Sequence, residues 1–234
     1  MTLKKRHKIL VTGGDGRFAK SLKNLKSIYD FTCVSKKQLD ITNIKSIKNC
    51  LKKINPKCVL HLAGLSRPMM QHQNLINKSI TLNIIGTSNI VKVCSDLKIK
   101  LVYFSTSYVY PGYKGNYKET DALLPWNNYA WSKLGGECAV QMYRNSLILR
   151  VCMTQKPFVH KKAFSNVKTN FIFHEDLAKI LLKVINKKGI INIGGKTQSV
   201  YNFAKKYNSK IKKILSKKYS INPSMDLSKL NKLI

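Results

Sequence analysis

The chain alternates short apolar runs with longer stretches of helical periodicity, and this alternation constrains its fold more than any other feature. Runs rich in Val, Ile and Leu predict buried strands at 8–12, 31–35, 58–62, 101–105, 147–151 and 190–193. Apolar residues at helical spacing predict helices at 17–26, 44–54, 75–97, 129–143, 175–186 and 200–216. Continuous apolar strands that alternate with helices are typical of parallel sheets covered on both faces. We therefore predict an α/β fold with a doubly wound parallel sheet.

A glycine turn follows the first predicted strand. Residues 9–19 read ILVTGGDGRFA, in which Gly13 allows a tight turn and Gly16 lets backbone amides approach a pyrophosphate. Because this pattern opens the first βαβ unit, it predicts a dinucleotide-binding site at the start of the first helix. The residues predicted to contact the cofactor here are Gly13, Asp15, Gly16, Arg17 and Phe18.

The end of the second predicted strand bears on the choice of cofactor. NAD enzymes place an acidic residue there, about 20 residues after the glycine turn, whereas residues 34–37 read VSKK. Ser35 and Lys36 could bind a 2′-phosphate, which favours NADP(H), with NAD(H) possible. The alternative is that these lysines belong to the general lysine excess of the chain. Asp40 and Ile41 are predicted to contact the adenine, and Asp40 also to start the next helix.

Tyr129 and Lys133 have the spacing of residues that share one face of a helix. A phenol has an ordinary pKa of about 10, and a neighbouring ammonium lowers it toward the neutral range. The pair therefore suits proton exchange with a sugar or alcohol oxygen that accompanies hydride transfer. The alternative is that Tyr129 is a half-buried aromatic residue at a helix start.

The formal net charge of +33 at first suggests a nucleic-acid partner. However, only five of the 43 basic residues are arginine, the preferred reader of bases and phosphates, and the lysines are spread along the whole chain. We interpret them as solvated helix faces that create a positive field for anionic small molecules such as dinucleotides and nucleotide sugars. No nucleic-acid partner is expected.

Cysteine and hydropathy patterns narrow the remaining classes. The six cysteines have no CxxC spacing and the five histidines form no ligand-like cluster, so we expect buried reduced thiols and no metal site. The longest apolar run is too short for a membrane span, and no signal peptide is visible. We expect a cytoplasmic protein with no membrane association.

The longest predicted loop covers 110–128, between a strand end and the helix of Tyr129. Ligands bind at the carboxyl ends of strands in open α/β sheets. Side chains of this loop are therefore predicted to shape a substrate pocket: Tyr113, Tyr117, Glu119 and Trp126. The lysine-rich tail after residue 214 is expected to be a short docked helix or to fray.

These segments together resemble the extended short-chain dehydrogenase/reductase superfamily, and within it the dTDP-4-dehydrorhamnose reductase group. The resemblance runs from about residue 8 to 195. It rests on the segments 12–19 (TGGDGRFA), 61–64 (HLAG), 83–87 (NIIGT), 105–110 (STSYVY), 129–137 (YAWSKLGGE) and 171–178 (FIFHEDLA).

The resemblance implies a Rossmann fold and a set of residue roles. The expected division is a NAD(P)-binding domain at 1–150 and a small, shortened substrate lobe at 151–234, interleaved with the last Rossmann elements. The implied catalytic residues are Thr106, Tyr129 and Lys133, of which Lys133 also binds the nicotinamide ribose. Leu62, Ala63 and Gly64 lie beside that ribose, and Asn83 supports the site. Substrate contacts are expected from Ser107, Tyr108, Asn128 and Arg150.

The function implied is an NADP(H)-dependent reductase of a nucleotide-linked 4-keto-6-deoxy sugar, in the biosynthesis of nucleotide sugars and surface polysaccharides. A nucleotide-sugar epimerase on the same scaffold is the first alternative. A non-catalytic nucleotide-binding regulatory subunit is the second, and the short segment of about 20 residues between Arg150 and Phe171 favours it. A homodimer through helices 75–97 and 129–143 is expected by analogy.

Overall fold

The computed structural model describes residues 7–23, 25–158, 160–216 and 221–234. Its centre is a six-stranded parallel sheet with the order β2-β1-β3-β4-β5-β10. These strands are β1 (His7–Thr12), β2 (Tyr29–Val34), β3 (Cys58–His61), β4 (Lys100–Thr106), β5 (Ser146–Val151) and β10 (Gly189–Ile193). The doubly wound parallel sheet is thus confirmed. The direction of winding reverses between β1 and β3, which opens a crevice at their carboxyl ends.

Helices cover both faces of the sheet. They are α1 (Arg17–Lys23), α2 (Ile44–Ile54), α5 (Gly86–Asp96), α6 (Asn128–Gln141) and α7 (His174–Val184). Ile9 and Val11 point into the core beneath α1 and α7, whereas Leu10 points into the core beneath α2, α5 and α6. Alternate strand residues thus supply two separate cores.

The predicted helix at 75–97 is a helical run with a widened middle. It consists of α4 (Ile76–Ser79), a π-helix at Ile80–Ile85 and α5, and α3 (Gln71–Asn74) precedes it. A π-turn holds one more residue than an α-turn and is frequent at functional sites. The buried Asn83 lies within it.

The predicted helix at 200–216 is wrong beyond its first turns. The helix α8 spans Val200–Lys205, and β12 (Lys212–Ile214) then pairs with β7 (Lys162–Phe164). Phe203, Ala204 and Ile211 are buried in one small core and have helical spacing. The side chain of Asn208 accepts from the amide of Lys210 instead, which forms a turn, and strand pairing prevails over the periodicity.

The region after β5 supplies strand β10 of the central sheet and three separate two-stranded sheets. Besides β7 and β12, the short pairs are β6 (Met153–Thr154) with β9 (Ile172–Phe173) and β8 (Lys168–Thr169) with β11 (Gln198–Ser199). The tail ends in a docked helix, α9 (Ser228–Asn231), whose Leu230 is buried. The domain division at residue 150 stays a prediction.

Three of the cysteines are buried, and Cys138 is exposed, so the expectation of buried thiols is not met at that position. Across the described ranges, no helix has the length and apolar character that a bilayer crossing requires.

Candidate active site

The glycine turn closes against the end of β3. Gly13 has a φ of +68°, and a Cβ on it would lie 2.9 Å from the backbone of Ala63. The amide of Gly16 donates to the carbonyl of Gly13 at 2.9 Å, and the amide of Gly14 donates to Val34 at 2.8 Å. A side chain at position 13 would clash with the backbone of Ala63, so glycine is required for the turn to close against the end of β3.

The other residues of the turn divide between surface and core. Asp15 and Arg17 are exposed, and the Arg17 guanidinium donates to the side chain of Gln155 at 3.0 Å. Phe18 is buried against Phe104, with ring centroids 5.1 Å apart. The expected cofactor contact of Phe18 is therefore limited to its backbone amide.

The end of β2 carries no acidic residue at the first loop position. Ser35 donates its hydroxyl to Gln38 at 3.1 Å, and the exposed Lys36 ammonium lies 4.0 Å from the carboxylate of Asp40. Because the Lys36–Asp40 pair is long and exposed, the ammonium is available to an anionic ligand. This arrangement fits a 2′-phosphate.

Asp40 does not start α2. Its carboxylate accepts from the amide and hydroxyl of Thr42 at 2.9 and 2.7 Å, and these bonds lower its pKa. The N-cap of α2 is Asn43, which accepts from the amide of Ser46. Ile41 is a buried core residue, so any contact that it makes with adenine comes from its backbone. Sequence reasoning misplaced the cap because both Asp40 and Asn43 are residue types favoured there.

Thr12 and His61 hold the loop that carries the expected ribose contacts. Thr12 Oγ1 accepts from the amides of Leu62 and Ala63 at 3.1 and 3.0 Å, and lies 2.8 Å from His61 Nδ1. Because two amides already donate to this oxygen, its own proton goes to the imidazole. Burial lowers the pKa of His61 to about 3, so the ring is neutral. Sequence reasoning assigned no role to Thr12 or His61, although both stand in segments that it quoted.

Asn83 ties the same loop to α6. Its side-chain oxygen accepts from the amide of Leu65 at 2.7 Å, and its nitrogen donates to the carbonyl of Leu65 and to Ser132. Ser132 in turn donates to the carbonyl of Tyr129 at 2.7 Å. The π-turn thus joins the cofactor loop to the helix of the predicted catalytic pair.

Thr106, Tyr129 and Lys133 converge at the carboxyl end of β4. Asn127 caps α6 by accepting from the amide of Ala130 at 2.8 Å, which places Tyr129 in the first turn and Lys133 in the next. Burial raises the pKa of Tyr129 to about 12, while the adjacent Thr106 hydroxyl and the positive charge of Arg67 act in the opposite direction. Burial therefore dominates the phenol, and its lowering by Lys133 stays a prediction.

Lys133 is buried, and its ammonium lies 4.1 Å from the centre of the Tyr103 ring. Burial lowers the pKa of Lys133 to about 7, and the carboxylate of Glu137, one helical turn on, opposes that shift. The lysine is therefore poised between its charged and neutral forms at neutral pH.

The structure corrects the expected substrate contact of Arg150. Arg150 is 2% exposed, and it donates to both carboxylate oxygens of Glu137, to the hydroxyl of Tyr110 and to the carbonyl of Glu119. All three nitrogens of the guanidinium are committed inside the protein. Arg150 is a structural residue that anchors α6 and the loop before it to the sheet.

The long loop after β4 also contains more structure than expected. Tyr117 is buried and stacks on Tyr110 at 4.9 Å, and the side chain of Glu119 accepts from the amide of Asn192 at 2.9 Å. Neither side chain is therefore free to shape a pocket. Tyr113 is exposed.

An aromatic row remains beside Tyr129. The rings of Trp126 and Tyr108 are 5.0 Å apart, and Tyr108 lies 6.4 Å from Tyr129. Asn128 donates its side-chain amide to the carbonyl of His72, whose ring packs on Tyr129 at 5.1 Å. Of the residues expected from sequence to contact the substrate or shape its pocket, Tyr108 and Trp126 are placed to line this side of the site.

Unpartnered polar atoms concentrate at the same place. Within the described ranges, the buried side-chain atoms without a hydrogen-bond partner are His72 Nε2, Ser105 Oγ, Ser107 Oγ and Asn127 Nδ2. The two serines flank Thr106, Asn127 caps the helix of Tyr129, and His72 packs on its ring. Buried polar groups are normally paired, so these atoms are candidates for binding a polar ligand.

Two other cavities, of about 530 and 480 Å³, lie in the C-terminal part of the chain. Their walls are polar and contain none of the three predicted catalytic residues. We assign the site to the crevice because its side chains carry the chemistry.

A family described as the RmlD substrate binding domain matches residues 7–171, more than half of the chain. The chain belongs to this family. The match contains the glycine turn and all three predicted catalytic residues, and it confirms the resemblance drawn from the motifs.

Two curated relatives of this member of the RmlD substrate binding domain family are informative. The dTDP-4-dehydrorhamnose reductase of Aggregatibacter actinomycetemcomitans is 26% identical over 202 residues, 82% of this chain and 63% of that protein. The methionine adenosyltransferase 2 subunit beta of Xenopus laevis is 30% identical over 114 residues, 48% of this chain and 34% of that protein. The chain spans less than two thirds of the length of these relatives.

The fold has a solved counterpart in dTDP-4-dehydrorhamnose reductase from Bacillus anthracis str. Ames in complex with NADP. The TM-score is 0.86 at 22% identity, and the match covers 98% of this chain and 92% of that one. At this identity the likeness establishes the fold of the RmlD substrate binding domain member and nothing finer.

Proposed function

We propose that this protein is an NADP(H)-dependent reductase of a nucleotide-linked 4-keto-6-deoxy sugar, acting in the cytoplasm in nucleotide-sugar and surface-polysaccharide biosynthesis. One observation carries the proposal. The hydroxyl of Thr106 lies within hydrogen-bonding reach of the Tyr129 phenol, and Lys133 lies over the ring of Tyr103, on the same strand as Thr106. The unpartnered buried polar atoms of the described residues belong to neighbours of Thr106 and Tyr129.

The crevice fits a dinucleotide at both ends. The glycine turn that precedes α1 suits a pyrophosphate, and Ser35 and Lys36 suit a 2′-phosphate. When bound, NADP(H) supplies the hydride for reduction of the keto carbon. NAD(H) is the alternative cofactor, and the absence of a carboxylate at position 35 argues against it.

The phenol of Tyr129 favours the reductive direction. With a pKa raised to about 12 by burial, the side chain is protonated at neutral pH. It can therefore donate its proton to the carbonyl oxygen as that oxygen becomes a hydroxyl. Thr106 donates a hydrogen bond to the same oxygen and orients it. The charged form of Lys133 binds the nicotinamide ribose and stabilises the phenolate that remains.

Positive charge over the site suits a diphosphate-linked substrate. Burial lowers the pKa of His160, His174 and Arg17, and the positive charge of Arg67 lowers all three further. Among the ion pairs of the described residues, neither Arg17 nor Arg67 has a carboxylate partner. Two unneutralised guanidinium groups favour a nucleotide diphosphate.

The test is turnover with defined substrates. The purified chain is offered NADPH or NADH with dTDP-, GDP- and UDP-linked 4-keto-6-deoxy sugars, and the absorbance of the reduced cofactor is followed. We expect oxidation of NADPH with at least one sugar and none with Tyr129→Phe. The proposal is wrong if no sugar of the panel supports oxidation by a folded chain that binds NADPH.

Two alternatives predict different results in the same material. An epimerase keeps its cofactor through a redox cycle, so mass spectrometry of the purified protein would find tightly bound dinucleotide and the sugar would change without net oxidation of NADPH. A regulatory subunit would bind dinucleotide and turn over no sugar. The short segment after β5 and the likeness to a methionine adenosyltransferase subunit favour the second alternative, whereas the complete Thr–Tyr–Lys set opposes it.

A homodimer is part of the proposal. The helical run that starts with α4 exposes Ile76, Ile80 and Ile85, and α6 exposes Trp131. A second copy of the chain would remove these apolar side chains from water. Sedimentation velocity with Trp131→Glu tests this: the variant should be monomeric, and a monomeric parent protein contradicts the idea.

A further inference from the structure

A row of three buried side chains crosses the sheet beneath the site. Thr12 pairs with His61 in the β1–β3 ladder, and His61 pairs with Tyr103 in the β3–β4 ladder. The rings of His61 and Tyr103 stack with centroids 5.8 Å apart and an interplanar angle of 29°. All three side chains are buried. The Tyr103 ring is therefore held in one orientation by the sheet.

The Tyr103 ring also meets the predicted catalytic lysine. The Lys133 ammonium lies 4.1 Å from the ring centre, and the Tyr103 hydroxyl donates to the backbone carbonyl of Lys133 at 3.1 Å. A Cβ at Gly136 would lie 2.5 Å from the Tyr103 oxygen, so glycine at 136 makes room for this contact. Ring and ammonium are thus fixed at both the side chain and the backbone.

The charged groups around Lys133 compensate its ammonium only in part, so the Tyr103 ring contributes to stabilising the charged form. On its own helix, Lys133 faces Glu137 and the protonated phenol of Tyr129. The carboxylate of Glu137 accepts three hydrogen bonds from Arg150, so its charge is shared with a guanidinium.

Among the described residues, no second carboxylate acts on Lys133 from the elements packed on its other side. The titratable groups there are His61 from β3 and His72 from α3, and burial lowers the pKa of both. Neutral imidazoles do not compensate an ammonium. A buried ammonium over an aromatic face gains more than an exposed one, because the competing hydration is already lost.

We propose that Tyr103 is a positioning residue for the reaction, whose ring face holds the Lys133 ammonium charged and aimed at the cofactor ribose. The role of the ribose rests on the proposed function, whereas the contact between the Tyr103 ring and the Lys133 ammonium does not depend on it. The hydroxyl of Tyr103 is secondary, because it binds the backbone and not the charge.

The test changes the electrostatics of the ring without changing its shape. Tyr103→Phe sets the baseline, and 4-fluoro-, 3,5-difluoro- and 3,4,5-trifluorophenylalanine are then placed at this position by nonsense suppression. Fluorine withdraws electron density from the ring face and weakens its attraction for a cation. Lys133 is titrated by pulse acetylation across pH, with its peptide quantified by mass spectrometry. The exposed Lys179 in the same digest is the control.

We expect the titration midpoint of Lys133 to fall with each added fluorine, by about one pH unit over the series. Lys179 should not move. The Kd for NADPH at pH 7, measured by fluorescence, should rise severalfold in parallel. A midpoint that ignores fluorination overturns the proposal. If Tyr103→Phe alone produces the whole shift, the hydroxyl acts instead of the ring face, and the proposal is equally overturned.

The outcomes separate this inference from the proposed function. A fluorine-dependent Lys133 midpoint without turnover of any keto-sugar would leave the ring contact standing and remove the reductase. Turnover of a keto-sugar with an unchanged Lys133 midpoint would support the reductase and overturn the role of the Tyr103 ring.

Discussion

Arg150 and Glu137 form a buried ion pair in which the guanidinium donates to both carboxylate oxygens, with the shortest contact at 2.9 Å. The side chains are 2% and 0% exposed. The pair joins β5 to α6 one turn after Lys133, and the remaining guanidinium nitrogen reaches Tyr110 and Glu119. The position of α6 thus depends on a buried charge pair whose groups bond to other parts of the protein.

Glu137→Gln should destabilise the fold by about 3 kcal/mol, because it leaves a buried guanidinium without its counter-charge. Urea unfolding at pH 7 measures this. Asp176→Asn, which removes the exposed partner of Lys179, is the matched control and should change stability by less than about 0.5 kcal/mol. The double change Glu137→Met with Arg150→Met should recover much of the loss. Equal losses in the single and double variants would argue against a coupled pair.

Tyr129→Phe should lower kcat by about 100-fold or more, since one hydroxyl is the proposed proton donor. The Kd for NADPH should change by less than about threefold, because the ring and its packing on His72 are kept. Stopped-flow kinetics and fluorescence titration measure the two quantities. Retained turnover would remove Tyr129 from the chemistry.

Lys133→Met should stabilise the protein below pH 7. The folded pKa of Lys133 is lowered by burial to about 7 from an ordinary 10.5. Between these values the unfolded chain binds more protons, so the parent protein gains stability as pH rises from 7 to 10.5. At pH 6 the variant should be more stable by on the order of 2 kcal/mol, and this advantage should shrink toward pH 10. A difference that does not depend on pH would show that Lys133 titrates normally.

Lys36→Glu should raise the Kd for NADPH by about tenfold or more and leave the Kd for NADH within about twofold, because a carboxylate repels a 2′-phosphate. Lys45→Glu, an identical charge change on the exposed part of α2, is the control for the overall field. If both variants weaken NADPH equally, the long-range charge and not a local contact selects the cofactor.

Gly13→Ala and Gly189→Ala separate backbone strain from lost binding. Both glycines have positive φ, of +68° and +85°, but only Gly13 faces backbone atoms within 3 Å of an added Cβ. Gly189→Ala should cost about 1 kcal/mol from its φ alone. Gly13→Ala should cost more and abolish NADPH binding. Calorimetry and fluorescence titration measure both effects. Normal NADPH affinity in Gly13→Ala would place the cofactor elsewhere.

Sequence patterns predicted those features of the site that are formed by residues close together in the chain. The glycine turn needs one left-handed residue after a strand, and a shared helix for Tyr129 and Lys133 needs only helical spacing, so both features could be predicted from sequence. The catalytic role of the pair stays a prediction. The role of Arg150 could not be predicted in this way, because its partner Glu137 lies across a strand–helix contact that periodicity does not encode. The contact of Tyr103 with Lys133 escaped for the same reason. The false helix beyond Lys205 arose because Phe203, Ala204 and Ile211 fit helical spacing, while pairing of β12 with β7 is a tertiary choice.

Because of the π-turn at Ile80–Ile85, the structure at this point should depend more on the number of residues than on their types. Loss of one codon between 80 and 85 would remove the extra residue and restore ordinary α-helical winding, while the flanking helical segments kept their relative rotation. Residues within the turn would shift against those segments, so Asn83 would lose its alignment with Leu65 and Ser132. Tolerated variation in this stretch should therefore consist of substitutions, and insertions or deletions should be confined to the loops on either side.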